Sequence, residues 1–157
     1  MIQRIQNVFL ALAAIIIVLM FFFSIADFYD DLAGNYRLLL TGLKCMDPDP
    51  KIKTSVLMTL PMVLLAALSV ILSLVTIIYY KTRTMQLRLI AINILITIVL
   101  IIVIFLFCIN SVQKLTGISP AYQFGAFCPL ICLVFLIVAN RFIRRDENLV
   151  KSAERLR

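Results

Sequence analysis

Four long apolar runs, each free of charged residues, limit what this chain can fold into; they lie at about 5–26, 55–80, 89–109 and 121–139. Each is about 20 residues or longer, the length a helix needs to cross roughly 30 Å of hydrocarbon. With 63% hydrophobic residues in 157, the chain is well above the usual share for a soluble domain. The runs predict an all-α integral membrane protein, a single domain over 1–157, with four transmembrane helices in a bundle. An outer loop at 27–53 and a cytoplasmic tail at 140–157 complete it.

The first run carries features of a signal peptide, with Arg4 before the apolar stretch and Ser24-Ile25-Ala26 before Asp27. Its core is longer than the usual h-region of about 7–15 residues, so Ile5–Ala26 reads as a retained span. Gln3, Gln6 and Asn7 share a face at its start, where they could bond other helix ends. The 27–53 segment holds five acids (Asp27, Asp30, Asp31, Asp47, Asp49) and four bases. Gly34-Asn35 between FYDDLA and YRLLLTGL suggests a short β-hairpin, although the alternation is imperfect. Asp47-Pro48-Asp49-Pro50 then stops regular structure. Neighbouring aspartates are capable of holding a divalent cation or moving protons, but solvated loop acids are far commoner.

The second span, about 55–80, has Pro61 in its first turns, where proline disrupts least, and Tyr79 and Tyr80 at its close. Ala66, Ser69, Ser73 and Thr76 form a stripe of small residues at helical spacing. Small residues let helices approach closely in lipid, where apolar burial supplies no drive of its own, so the stripe is expected to face protein. A short basic loop (Lys81, Arg83, Arg88) leads into the third span, whose polar exceptions, Asn93 and Thr97, lie one turn apart. Their expected role is an interhelical hydrogen bond. A connection at 110–120 with Gly117 and Pro120 precedes the fourth span, in which Pro129 should bend the helix unless neighbours satisfy the freed carbonyl.

Lys and Arg set the orientation. Arg4, the 81–88 loop and the tail hold ten of them, and the other two connections five. The positive-inside rule then places both termini in the cytoplasm and 27–53 outside. The net charge of +7 arises from bases beside the spans rather than in a basic domain, which argues for orientation signals over nucleic-acid binding.

Catalytic chemistry is poorly supported. There is no histidine, hence no imidazole base or ligand. No Asp, Glu, Lys or Arg falls within a span, whereas ion-coupled transporters, including small multidrug exporters of this size, generally carry one there. Cys45, Cys108, Cys128 and Cys132 form no CxxC pair and read as small apolar residues, with a Cys45–Cys108 bridge as the sharper alternative. No P-loop, GxSxG or HExxH pattern occurs. The expectation is a non-enzyme with no cofactor, no metal and no identifiable small-molecule substrate.

The tail, NRFIRRDENLVKSAERLR, is the one long polar terminus. From Asp146, a candidate N-cap, Leu149, Val150, Ala153 and Leu156 fall on one side of an amphipathic helix. Six bases against Asp146, Glu147 and Glu154 leave it at +3. That mixture suits docking on protein better than adhesion to lipid, with Arg144, Arg145, Lys151 and Arg155 among the partner-binding residues. The expected partners are the bilayer and another membrane or cytoplasmic protein.

The two ends, MIQRIQ and the tail with its Arg144-Arg145-Asp146-Glu147 and Lys151-Ser152-Ala153, resemble a family of small four-span proteins of Bacteroidetes catalogued as a domain of unknown function. The resemblance implies a bacterial inner membrane and four spans, and brings no activity or ligand. Two roles follow as expectations: a scaffold or accessory subunit engaging a partner through its tail, or a transporter or channel component for an uncharged or lipid-like solute with a polar cavity around Ser69, Ser73, Asn93 and Thr97.

Overall fold

A computed structural model describes residues 2–29, 35–46, 59–79 and 82–155. The elements run α1 (Ile2–Leu19), β1 (Ala26–Phe28), β2 (Tyr36–Leu39), β3 (Gly42–Cys45), α2 (Leu60–Ile78), α3 (Arg83–Ile102), α4 (Asn110–Thr116), β4 (Ala121–Tyr122) and α5 (Phe124–Arg155). A π-helical segment, Val103–Ile109, joins α3 to α4 without a break. Three described helices are long and apolar enough to cross a membrane: Leu60–Ile78, Thr84–Lys114 and Phe124–Asn148. A shorter apolar helix, Gln6–Leu19, accompanies them.

The distribution of side chains points the same way. On α2 the buried positions are Met62, Ala66, Ser69, Ser73 and Thr76, while Leu64, Leu68, Ile71, Leu74 and Ile78 are exposed. Water would favour the reverse; hydrocarbon does not penalise leucine outside and rewards hydroxyls that find partners inside. α1 packs against α2 and α5, α2 against α3, and α3 against α5. Phe9 stacks on Phe142 at 5.6 Å and lies 6.0 Å from Phe135, which aligns the start of α1 with the later part of α5.

At the other end of the helices lies an antiparallel sheet, order β3-β2-β1-β4, so the chain is mostly helical rather than all-α. Pairing of Phe28 with Tyr36 and Ala26 with Leu38 makes β1 and β2 a hairpin, and Leu39 opposite Gly42 makes a second. β4 joins through Ala26 opposite Tyr122. The expected hairpin thus has a β1 that begins earlier, at Ala26, and a 36–43 stretch divided between two strands. Gly34 and the Asp47–Pro50 motif lie outside the described residues. Tyr36, Leu38 and Leu40 bury toward the helices, and Phe28 joins them in the core.

Several expected boundaries are corrected. The first apolar run does not stay helical to Ala26: α1 ends at Leu19, and bonds from Phe21 N to Val18 O and Phe22 N to Leu19 O tighten its exit. Ile25 then donates to Leu38 O at 2.8 Å, so a remote strand takes over its backbone pairing. From Arg83 onward the expected basic loop is helical, because α3 begins there; helical bonds form regardless of side-chain polarity. The 110–120 connection is helical through Thr116, where Gly117, at φ 74°, adopts the left-handed cap and donates to Gln113 O. The fourth helix starts at Phe124 and does not stop at 139, and Asp146 is in its interior rather than at an N-cap. Residues 55–58 of the expected second span, with Tyr80 and Lys81, lie outside the described residues.

Candidate functional site

The small-residue stripe of α2 meets the two polar residues of α3. Ser69 Oγ donates to Asn93 Oδ1 at 2.8 Å, and Asn93 Nδ2 donates to Ser73 Oγ at 2.8 Å. One asparagine side chain thereby spans two hydroxyls a turn apart. Thr97 Oγ1 donates to the Asn93 carbonyl at 2.9 Å and stands 3.5 Å from Ser69 Oγ. Ser69, Ser73, Asn93 and Thr97 are all buried. Ala66 is buried in the same stripe, one turn nearer the sheet, and has no polar atom to place. Thr76 donates to its own helix at Leu72 O, 2.6 Å away, and the Thr76 carbonyl accepts from Gln86 Nε2 at 3.3 Å.

This seam uses its polar atoms on itself. The spacing of residues 66, 69, 73 and 76 on α2 and of 86, 93 and 97 on α3 turns them to one face of each helix. Gln86 is the member that reading 81–88 as a loop misses. It precedes Asn93 by two turns, and that interval is the signal that places it on the same face.

The sheet end holds a second polar group. Asp27, buried in β1, accepts from Arg37 Nε at 3.0 Å, from Arg37 Nη2 at 3.4 Å and from Tyr29 OH at 3.0 Å. The hydrogen bond and charge of Asp27 hold the Arg37 guanidinium above its ordinary range. With both carboxylate oxygens bonded, Asp27 is a cross-strand clamp rather than a ligand. Asp30, Asp31, Asp47 and Asp49 lie outside the described residues. Among the described residues no group of His, Cys, Asp and Glu could hold a metal ion. All four cysteines are free, so the Cys45–Cys108 bridge is not formed. Cys128 donates to Phe124 O at 3.6 Å.

The expected partner-binding residues are all on α5 or just beyond it. Arg144 and Arg145 are exposed. Leu149, Val150, Lys151, Ala153 and Arg155 belong to the helical backbone of α5, while Leu156 lies outside the described residues. The tail and the polar seam are therefore not one site: the seam sits inside the packed helices, and the tail extends from one of them.

A family model described as a domain of unknown function, DUF4293, matches residues 2–156. No curated protein and no solved structure matches the chain.

Proposed function

The chain belongs to the DUF4293 family, and we propose that it is a non-enzymatic four-span bundle of a bacterial inner membrane, a scaffold or accessory subunit that docks a protein on its cytoplasmic C-terminal helix. The observation that carries this reading is the continuity of α5, a single helix of 32 residues. At 1.5 Å per residue that is about 48 Å, well beyond the roughly 30 Å of hydrocarbon, so about a third of it projects as a rigid extension. Its exposed Arg144 and Arg145 lie on the projecting part. A helix anchored by a packed span loses less freedom on binding than a loose tail does.

α1 supplies the fourth span. Its 18 residues reach about 27 Å; Phe9 within it stacks on Phe142, and Phe23, four residues past its end, meets Phe124, so helix and exit together run alongside α5. The ten-to-five distribution of bases favours termini in the cytoplasm and the sheet outside. The transport alternative gains less support, because Ser69, Ser73, Asn93 and Thr97 are engaged with one another or their own helix rather than available to a solute.

The test is site-specific photocrosslinking from position 149 in native membranes. A discrete adduct is expected, lost when Arg144 and Arg145 are changed to Glu while the spans remain inserted. Retention of the same adduct by that variant would exclude docking through the basic helix. Impermeant thiol reagents on intact spheroplasts check the topology: in a background with Cys45 changed to Ser, Thr41→Cys should label and Ser152→Cys should not.

A further inference from the structure

Where α2 ends and α3 begins, the two helices enclose an apolar groove of about 230 Å³ lined by Val75, Tyr79, Met85 and Leu89. A short connection fixes its shape. Thr82 N donates to Tyr79 O at 3.1 Å and Gln86 N to Thr82 O at 3.0 Å, which turns the chain back on itself within a few residues. The bond from Gln86 Nε2 to Thr76 O at 3.3 Å ties the two helices together at this level. Gln86, Ile90 and Asn93 bury on one face of α3, which leaves Met85, Arg88 and Leu89 together on a neighbouring one. Tyr79 and Met85 are exposed, so the groove opens outward rather than into the bundle. A helical side chain leans toward the N-terminus of its helix, so the exposed Arg88 extends from beside Leu89 toward the level of Met85, its stem on apolar surface.

We propose that the groove is a binding site for an anionic phospholipid, with one acyl chain along Val75, Tyr79, Met85 and Leu89 and the phosphate on the Arg88 guanidinium. The apolar lining suits hydrocarbon, and the position suits a headgroup: the groove lies at the end of a span closed by Tyr79, where interfacial aromatics gather. Charge selects an anion. The chain holds no Asp or Glu from 50 to 145, and Lys81, Arg83 and Arg88 all fall within 81–88. Asp146 and Glu147, the nearest acids that follow, are on α5 and do not line the groove. A base that only sets orientation needs no recess beside it, whereas Arg88 stands a turn inside α3 next to an apolar one. Guanidinium pairs with phosphate through two N–H donors, and basic pockets between spans take lipid headgroups. The inference rests on the membrane-spanning reading and not on docking through α5.

The test places the full chain in phosphatidylethanolamine vesicles doped with phosphatidylglycerol that carries a photoactivatable diazirine in its acyl chain. Adducts mapped by peptide sequencing are expected on Val75, Tyr79, Met85 and Leu89, several-fold above the exposed Leu64, Leu68 and Leu130. Phosphatidylethanolamine bearing the same probe should show no such preference. Arg88→Gln should lower the groove labelling several-fold, whereas Arg141→Gln, which removes another exposed base, should leave it unchanged. Val75→Trp, which fills the groove, should abolish the preference. Excess unlabelled phosphatidylglycerol should compete and inorganic phosphate should not, because the acyl chain is held as well as the headgroup. Labelling spread evenly over the exposed helix faces, equal capture of both lipids in the groove, indifference to Arg88→Gln or displacement by phosphate alone would overturn the proposal. Absence of adducts on every helix would overturn it together with the membrane-spanning reading.

Discussion

The half of the helical core nearer the sheet is built from Ile17, Met20, Met62, Leu100 and Ile104, whereas the half farther from it mixes Leu10, Ile90 and Ile143 with the polar residues Gln6, Ser69, Ser73, Thr76, Gln86 and Asn93. The two halves hold the same helices by different means. Near the sheet, large side chains interlock and strand pairing ties α1 to α5 through Ala26 opposite Tyr122. Farther away, small residues bring α2 and α3 together and Asn93 bonds both serines. In hydrocarbon the first mechanism works through dispersion and shape, and the second through dipoles that have no water to turn to. The contrast teaches that hydrogen-bonded polar side chains between long apolar helices can take the place of side-chain volume where two helices pack.

The sharpest way to break the contrast is at the junction between sheet and helix. A Cβ at Gly125 would sit 2.5 Å from Ser24 O, which is the acceptor of the Gly125 N–H at 2.9 Å. Gly125→Val should therefore cost about 3 kcal/mol by overpacking against backbone that cannot move aside. Thermal unfolding in detergent micelles would measure it, and a stability equal to the parent would show that the junction is looser than it looks. Next comes Leu100→Ala in the volume-packed half, expected to cost about 2 kcal/mol from the contacts and cavity it leaves.

In the hydrogen-bonded half the losses should be smaller. Asn93→Leu keeps the bulk but removes both interhelical bonds, and at roughly 0.6 kcal/mol for each such bond in a membrane should cost about 1 kcal/mol. A cost exceeding that of Leu100→Ala in the same assay would invert the comparison and make the seam the principal fastening. Thr97→Val should change stability least, by about 0.5 kcal/mol or less, because its shortest bond is to the Asn93 carbonyl of its own helix. A larger loss would mean that the 3.5 Å approach to Ser69 Oγ is a genuine interhelical bond.

The seam was legible because both of its halves carry helical spacing: 69 and 73 on one span, 93 and 97 on the next. Asp27 and Arg37 were visible only as loop charges, since nothing local says that ten residues apart they stand opposite each other in two strands. Gln86 was concealed by its neighbours, as Arg83 and Arg88 made the segment read as a basic loop. The continuous α5 was concealed in the opposite way: the change from apolar to polar at Asn140 reads as a boundary, yet the backbone carries on to Arg155.

By itself, the amino-acid sequence determined the apolar runs and the faces on which small and polar residues recur, because length against hydrocarbon thickness and a period of 3.6 are properties of the chain alone. Only the tertiary structure decided where helices stop and strands begin. A helix bonds its backbone locally whatever its side chains are, so Asp146 did not end one; Ile25 left its helix because a carbonyl on Leu38, thirteen residues later, was there to receive its N–H.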